Sequence, residues 1–478
     1  MSTVGLSGVE IAELVRSGRA KPTEVVADHL RQIARLEPRV NALLSERPEK
    51  AIAEAAALEG RRDLDKLPLA GVPVTIKDSV DVAGEPMRLG SLALPDTPRE
   101  KDDELVRRLR GAGCVVIGKT NQPELSIFHF TESNLGITRN PWNLDRAPGG
   151  SSGGAAASVA AAMVPIAQGS DGGGSIRLPA AFCGLFGIKP GPGIVPIAGG
   201  AEEHWFGMSQ WGPLATTVDD AALMLDVLAG TSTYRDVAVP AGRLRLALSV
   251  KPPATGVRVN REVRLAVEAS ADALRSAGHT VTVTDPPYSP EFPLYFLHRF
   301  FAGIALEADE LDLPTAKLEP RTQRMVRIGR YLNRYRPVPR DGTRRLYQRF
   351  ESWFQDYDVL LTPSTAQPSV PAGGWLGKSY ITTLLTATSQ VPFTQAANLL
   401  NLPAASIPAG LTVDGLPIGL QLVAARGGEA LLLSLAKQLE QLSPWPRHAP
   451  MAEIEGEHPA AADLGDSGLR RWFAGSRP

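Results

Sequence analysis

Between residues 147 and 190 the chain carries two glycine-rich serine clusters, Gly149-Gly150-Ser151-Ser152-Gly153-Gly154 and Asp171-Gly172-Gly173-Gly174-Ser175, on either side of a run of small apolar residues. Glycine lets the backbone take positive φ and lets other atoms approach closely, so such clusters make turns that aim several N–H groups at one point. Converging donors of that kind stabilise an anion. Gly153 to Ala162 is almost all Gly, Ala, Ser and Val, which predicts a helix packed close to its neighbours with its positive end beside Ser151. Val164-Pro165-Ile166-Ala167 reads as a short buried strand entering the second cluster. Taken singly, each cluster also reads as a flexible turn. Their combination carries the argument.

Ser151 and Ser175 stand 24 positions apart, and Ser175-Ile176-Arg177-Leu178-Pro179 follows. Upstream lies Gly71-Val72-Pro73-Val74-Thr75-Ile76-Lys77-Asp78, where Lys77 is the only charge on a predicted strand from Leu69. In this order the motifs resemble those of the amidase signature family of hydrolases. The resemblance runs from about residue 5 to residue 445, thins between about 235 and 355, and includes Gly118-Lys119-Thr120-Asn121. It implies an α/β fold, an α/β/α sandwich whose large mixed central sheet is covered by helices on both faces. It also implies a Ser-Ser-Lys triad in which Ser175 attacks the carbonyl to give an acyl-enzyme. Ser151, in a cis peptide, would relay the proton to Lys77. The N–H groups of Gly172, Gly173 and Gly174, with that of Ser175, would form the oxyanion hole. Asp171 and Arg177 would brace the loop, and Ser152 would be a turn residue or a hydrogen-bond support. No metal and no cofactor is implied.

Outside that resemblance, a lysine at a strand end reads as one reaching solvent. As a base Lys77 must be neutral. A free lysine titrates near ~10.4, so bringing it to ~7–8 means destabilising the ammonium by roughly 4 kcal/mol. The apolar run Val72 to Ile76 offers the burial this needs.

With 478 residues, 43% hydrophobic, the chain can bury a large core, and we read residues 1–478 as one domain. A net charge of −1 gives no basic field for nucleic acid. Cys114 and Cys183 sit among apolar neighbours and read as small buried side chains. The first residues lack a basic, apolar leader pattern, and the longest apolar run is broken by Pro165. The expectation is a cytoplasmic protein acting on a small-molecule amide, without nucleic-acid or membrane partners, and with a homodimer left open.

Helical spacing predicts helices over 8–18 and 23–36, the second capped by Thr23, and one starting at Thr217. Residues 244–285 read as a βαβ unit. Residues 287–357 turn aromatic and arginine-rich, a peripheral helical subregion read as a lid or an oligomer surface. The chain beyond about 450 reads as frayed. Ile127 and Phe128, and Trp205, Phe206 and Trp211 in the bulky loop 199–213 with Glu202 and Glu203, are the candidate substrate-pocket residues. Core packing is the other reading of Ile127 and Phe128.

Three alternatives stand beside a carboxamide hydrolase with an apolar or aromatic acyl group. The A subunit of the glutamine-dependent tRNA amidotransferase shares the triad, but its usual S-L-D-Q-x-G-P is here Gly207-Met208-Ser209-Gln210-Trp211-Gly212-Pro213. Lys189-Pro190-Gly191-Pro192-Gly193 likewise departs from K-P-T/S-x-G-R. A non-catalytic binding protein would not need Lys77, Ser151 and Ser175 together. A Ser-His-Asp hydrolase would have to use His129 or His204, the histidines near the pocket segments.

Overall fold

The computed structural model describes residues 2–453 apart from 198–199, 201–203, 237, 241, 255 and 338–341. The tail predicted to fray lies outside the described residues from 454 onward, as do Glu202 and Glu203. Helix α1 (Gly8–Arg16) opens with a capping box: the Ser7 hydroxyl accepts from the Glu10 N–H and the Glu10 carboxylate from the Ser7 N–H. Helix α2 (Pro22–Val40) starts one residue before the predicted cap. Proline suits the first helical position because it has no N–H to leave unpaired. Thr23 therefore falls inside the first turn, and its hydroxyl bonds to Glu59 instead.

There follow β1 (Leu43–Glu46), α3 (Pro48–Glu59), β2 (Pro73–Lys77), α4 (Glu104–Gly111), β3 (Val115–Thr120) and a small hairpin of β4 (Glu132–Ser133) and β5 (Gly136–Ile137). The serine-rich centre folds as α5 (Gly153–Ala160), β6 (Ile166–Asp171), α6 (Arg177–Cys183) and β7 (Phe186–Lys189). Next come β8 (Gln210–Ala215) and α7 (Val218–Ala229), which Thr217 caps as the sequence predicts. The predicted βαβ unit is β9 (Arg245–Leu248), α8 (Arg261–Ser276) and β10 (Thr280–Val283), with the two strands parallel. The aromatic subregion is α9 (Phe292–Glu310), α10 (Pro320–Tyr335) and α11 (Gly342–Trp353). The chain then runs through β11 (Val359–Pro363), α12 (Tyr380–Gln390), α13 (Gln395–Leu399), β12 (Ala404–Leu411), β13 (Pro417–Ala424) and α14 (Glu429–Leu442).

Eleven strands form one mixed sheet in the order β1-β3-β2-β6-β8-β7-β12-β13-β11-β9-β10. The β3-β2-β6 neighbours are parallel, and β8 turns the direction between β6 and β7. Alternate residues of a strand point to opposite faces, and the packing follows that period. Leu246, Leu248, Val359 and Leu361 join the core under α8 and α14, whereas Ala247 and Leu360 join a second core built with α9, α10 and α11. The sheet is thus covered on both faces, an α/β/α sandwich. Cys114 and Cys183 are buried free thiols.

Candidate active site

Strand β2 lies between β3 and β6, so its residues are buried on all sides. Thr75 and Lys77 share a face, two residues apart. The Thr75 hydroxyl meets Ser158 of α5 at 3.0 Å, and Lys77 therefore points at the loop that enters that helix. Its Nζ donates to Ser151 Oγ at 2.6 Å and to Ser170 Oγ at 2.8 Å. Among the described residues it forms no ion pair, although it is fully buried. Burial, opposed by the more distant charges of Asp171, Glu307 and Asp78, pulls the ammonium down to about 7.

The Gly150-Ser151 peptide is cis, as the resemblance implies. Gly150 is obligatory for packing: a Cβ there would lie 2.5 Å from the Phe128 carbonyl oxygen. Ser152 turns away from the cavity. Its hydroxyl donates to the Ser170 carbonyl at 3.1 Å and accepts the Ser170 N–H at the same distance, tying the loop before α5 to β6.

The loop after β6 wraps around the Asp171 carboxylate, which accepts N–H bonds from Gly174 at 2.7 Å and Ile176 at 3.2 Å. Arg177 grips the same carboxylate through Nε and Nη2, each at 2.9 Å, and both side chains are completely buried. Burial works against the Asp171 charge, but Arg177 outweighs it and holds the carboxyl below the usual range. Arg177 also donates to Asn398, Gln421 and the Thr394 carbonyl. Asp171 and Arg177 thus tie the loop after β6 to α6 and to α13.

That brace corrects one expected oxyanion donor. The Gly174 N–H is committed to Asp171, and Gly174, with a φ of +126°, is not among the residues that line the cavity. The N–H groups of Gly172, Gly173 and Ser175 have no hydrogen-bond partner among the described residues, and all three residues line the cavity. The Ser175 carbonyl accepts from the Ser152 N–H at 3.2 Å, which fixes the two serine loops side by side. The Ser175 hydroxyl, part-exposed to the cavity, makes no hydrogen bond among the described residues. The expected Ser175–Ser151 contact is therefore not closed in this conformer, although both side chains border one space.

The cavity measures about 180 Å³, somewhat more than the ~150 Å³ apolar cavity that holds a benzene. Of the candidate pocket residues, Ile127, Phe128, Trp205 and Trp211 line it, and Phe206 does not. Trp205 and Phe206 both sit in a tight left-handed turn, so their side chains diverge. Phe128 serves both readings, since the Arg321 guanidinium stacks on it at 4.0 Å. His129 and His204 line the cavity too, but burial lowers both pKa values, to about 3 and about 4, and neither bonds to a serine among the described residues.

Several lining residues escaped the sequence reading. Ser170 lies on β6 two positions from Gln168, whose Oε1 accepts the Lys77 N–H, so strand alternation was the available signal. Phe292, Phe296, Phe300 and Glu307 come from α9, and Thr383, Leu384 and Ala387 from α12. The helical subregion is thus a wall of the cavity. Among the described residues, no helix is long and apolar enough to cross a membrane and no group of three or more His, Cys, Asp or Glu is placed to hold a metal.

Residues 24–433 match the family described as Amidase. A Mycobacterium tuberculosis protein named as an amidase, AmiB2, is 42% identical over 451 residues, covering 92% of this chain and 96% of its own. An acylamidase of Rhodococcus erythropolis is 34% identical, covering 93% and 97%. Among solved structures, a 6-aminohexanoate cyclic dimer hydrolase complexed with substrate superposes with a TM-score of 0.85 at 31% identity, covering 94% of this chain and 99% of that one. A bacterial aryl acylamidase of the amidase signature family gives 0.80 at 28%, covering 92% and 96%.

Proposed function

Because the chain belongs to the amidase family, we propose that it is a carboxamide hydrolase working through an acyl-enzyme on Ser175, with an apolar or aromatic acyl group in the cavity. The observation that carries this reading is Lys77. A buried amine held 2.6 Å from Ser151 Oγ, with no carboxylate paired to it among the described residues, is a base. Ser151 passes the Ser175 proton to Lys77 as Ser175 Oγ attacks, and returns a proton to the departing amine. For this, the Ser175 hydroxyl must turn toward Ser151, whose side chain borders the same cavity. The N–H groups of Gly172, Gly173 and Ser175 receive the oxyanion. Losing one such donor typically costs about 10²–10³ in rate. Water then attacks the acyl-enzyme by the same route in reverse, so esters and cyclic amides are also within reach of the chemistry.

The test is to treat the purified protein with a fluorophosphonate and map the adduct, then assay aliphatic, aryl and cyclic amides without ATP. The expected result is a single adduct on Ser175 and release of amine. An unmodified Ser175 together with no amide cleaved would overturn the proposal.

A further inference from the structure

Among the described residues that line the cavity, Glu307 is the one carboxylate and the one side chain other than histidine that can carry a full charge. Its Oε2 accepts from Trp205 Nε1 at 2.9 Å. Its Oε1 has no hydrogen-bond partner, and the carboxylate forms no ion pair, among the described residues. The position is built from both sides. One helical turn before Glu307, Gly303 lets α9 lie against the indole, since a Cβ there would come within 3.0 Å of Trp205 Cγ. At the opposite edge of the same ring, Trp205 Cε3 lies 3.4 Å from where a Cβ on Gly172 would be. Trp205 is therefore a spacer holding the free carboxylate oxygen one indole width from the loop that carries Ser175.

An ionised carboxylate in an aromatic-walled space is costly without a partner. Lys77 does not supply one: among the described residues its Nζ bonds to Ser151 and Ser170 and forms no ion pair with Glu307, and once neutral it carries no charge to offer. We propose that Glu307 is a specificity-determining residue that selects substrates whose acyl chain ends in a protonated amine, with Oε1 as the counter-ion. This rests on the hydrolase reading of the same cavity and narrows its substrate class: the apolar stretch of the acyl chain lies along the aromatic wall, and its far end carries the ammonium. Phe296 and Phe300, stacked at 5.7 Å between ring centres, add ring faces that attract an ammonium. Burial raises the Glu307 carboxyl to about 7 and lowers Lys77 to about 7. Above that pH Lys77 is neutral and Glu307 ionised, so the form able to remove a proton is also the form that attracts a cation. The cavity, at about 180 Å³, has room for a short aliphatic chain.

The experiment uses the purified full chain at about pH 8, above both of those titrations. The probes are 5-aminopentanoyl anilide, pentanoyl anilide and the N-acetylated amine. The wild-type protein is expected to favour the free amine over pentanoyl anilide by about tenfold or more in kcat/KM, chiefly through KM. Glu307→Gln keeps an acceptor for Trp205 Nε1 and should reduce that ratio about tenfold, with Glu307→Asp recovering part of it. Pentylammonium should inhibit pentanoyl anilide cleavage about tenfold more strongly than pentan-1-ol, a readout that needs no variant. Equal wild-type rates on amine and pentanoyl anilide, an unchanged ratio in Glu307→Gln, or a preference for the N-acetyl compound would each overturn the assignment while leaving the hydrolase intact. Failure to cleave any probe, with Ser175 unlabelled by fluorophosphonate, would instead bring down the hydrolase reading beneath it.

Discussion

The two walls of the cavity are held in place by different physics. On the sheet side, Lys77, Ser151, Ser152, Asp171 and Arg177 are all fully buried, and each is fixed by directed hydrogen bonds to neighbouring backbone or side chains. On the helix side, α9 and α12 present Phe292, Phe296, Phe300 and Leu384 to the space, while Leu294 and Leu385 on the same helices are 70% and 66% exposed. Packing without directional bonds tolerates changes of size and shape. A wall that must place reacting atoms is built from the first kind, and a wall that must fit a substrate is built from the second.

On this contrast the sheet wall should fail as a unit. Ser175→Ala is expected to lower kcat on any cleaved amide by about 10⁴-fold or more, with folding retained, and Lys77→Ala by a comparable factor. The double variant should be no worse than either alone, because groups acting on one proton path do not contribute additively. Wild-type turnover in either single variant, measured with the same amide, would dissolve the distinction between the walls.

The next largest effect concerns the brace. Arg177→Leu leaves the Asp171 carboxylate buried without its cation, which typically costs about 3–5 kcal/mol. Urea unfolding should show that loss, whereas Leu294→Ser on the exposed side of α9 should stay within about 0.5 kcal/mol of wild type. Equal destabilisation by the two would mean that the walls are held alike.

How much of this was legible in the sequence follows the same division. Lys77, Ser151 and Ser175 were legible through the order and spacing of three motifs that together resemble the amidase signature family, since taken singly the lysine reads as a strand-end charge and each serine cluster as a turn. The α/β/α layering was legible through the family resemblance, with the βαβ pattern of residues 244–285 as its local support. Ser170 was missed because a lone serine in a buried strand looks like any small residue until its neighbour across the ladder is known. Gly174 was misassigned because the sequence shows a glycine without showing that its N–H is taken by Asp171. Glu307 and α12 were missed for a deeper reason. Their role depends on where α9 and α12 dock, and long-range docking of amphipathic helices leaves no local pattern. Thr23 failed as a cap through a local rule, the preference of Pro22 for the first helical position.

A third comparison varies pH. Lys77 titrates at about 7 because burial disfavours its charge, and only its neutral form accepts a proton. On a substrate without ionisable groups, kcat/KM should fall about tenfold for each unit below that point and level off above it. Between about pH 5 and 7 this is a loss of roughly 10², and it should be shared by every wall variant that leaves Lys77 in place. A flat profile over this range would show that a different group takes the proton.

The smallest effect is on fit. Phe296 stands over the loop of Ser175: a Cβ on Gly173 would meet its Cζ at 3.0 Å. Truncating it removes apolar contact with the acyl chain but touches none of the hydrogen bonds that hold Lys77 or Asp171. A missing contact of this size is worth about 1–3 kcal/mol in an apolar pocket. Phe296→Ala should therefore lower kcat/KM for a pentanoyl anilide about tenfold or more while changing acetanilide by much less. The stability of the fold and the pH at which activity appears should both stay where they are. An equal loss on both anilides would mean that Phe296 positions the Ser175 loop, and the helix wall would then belong to the catalytic apparatus.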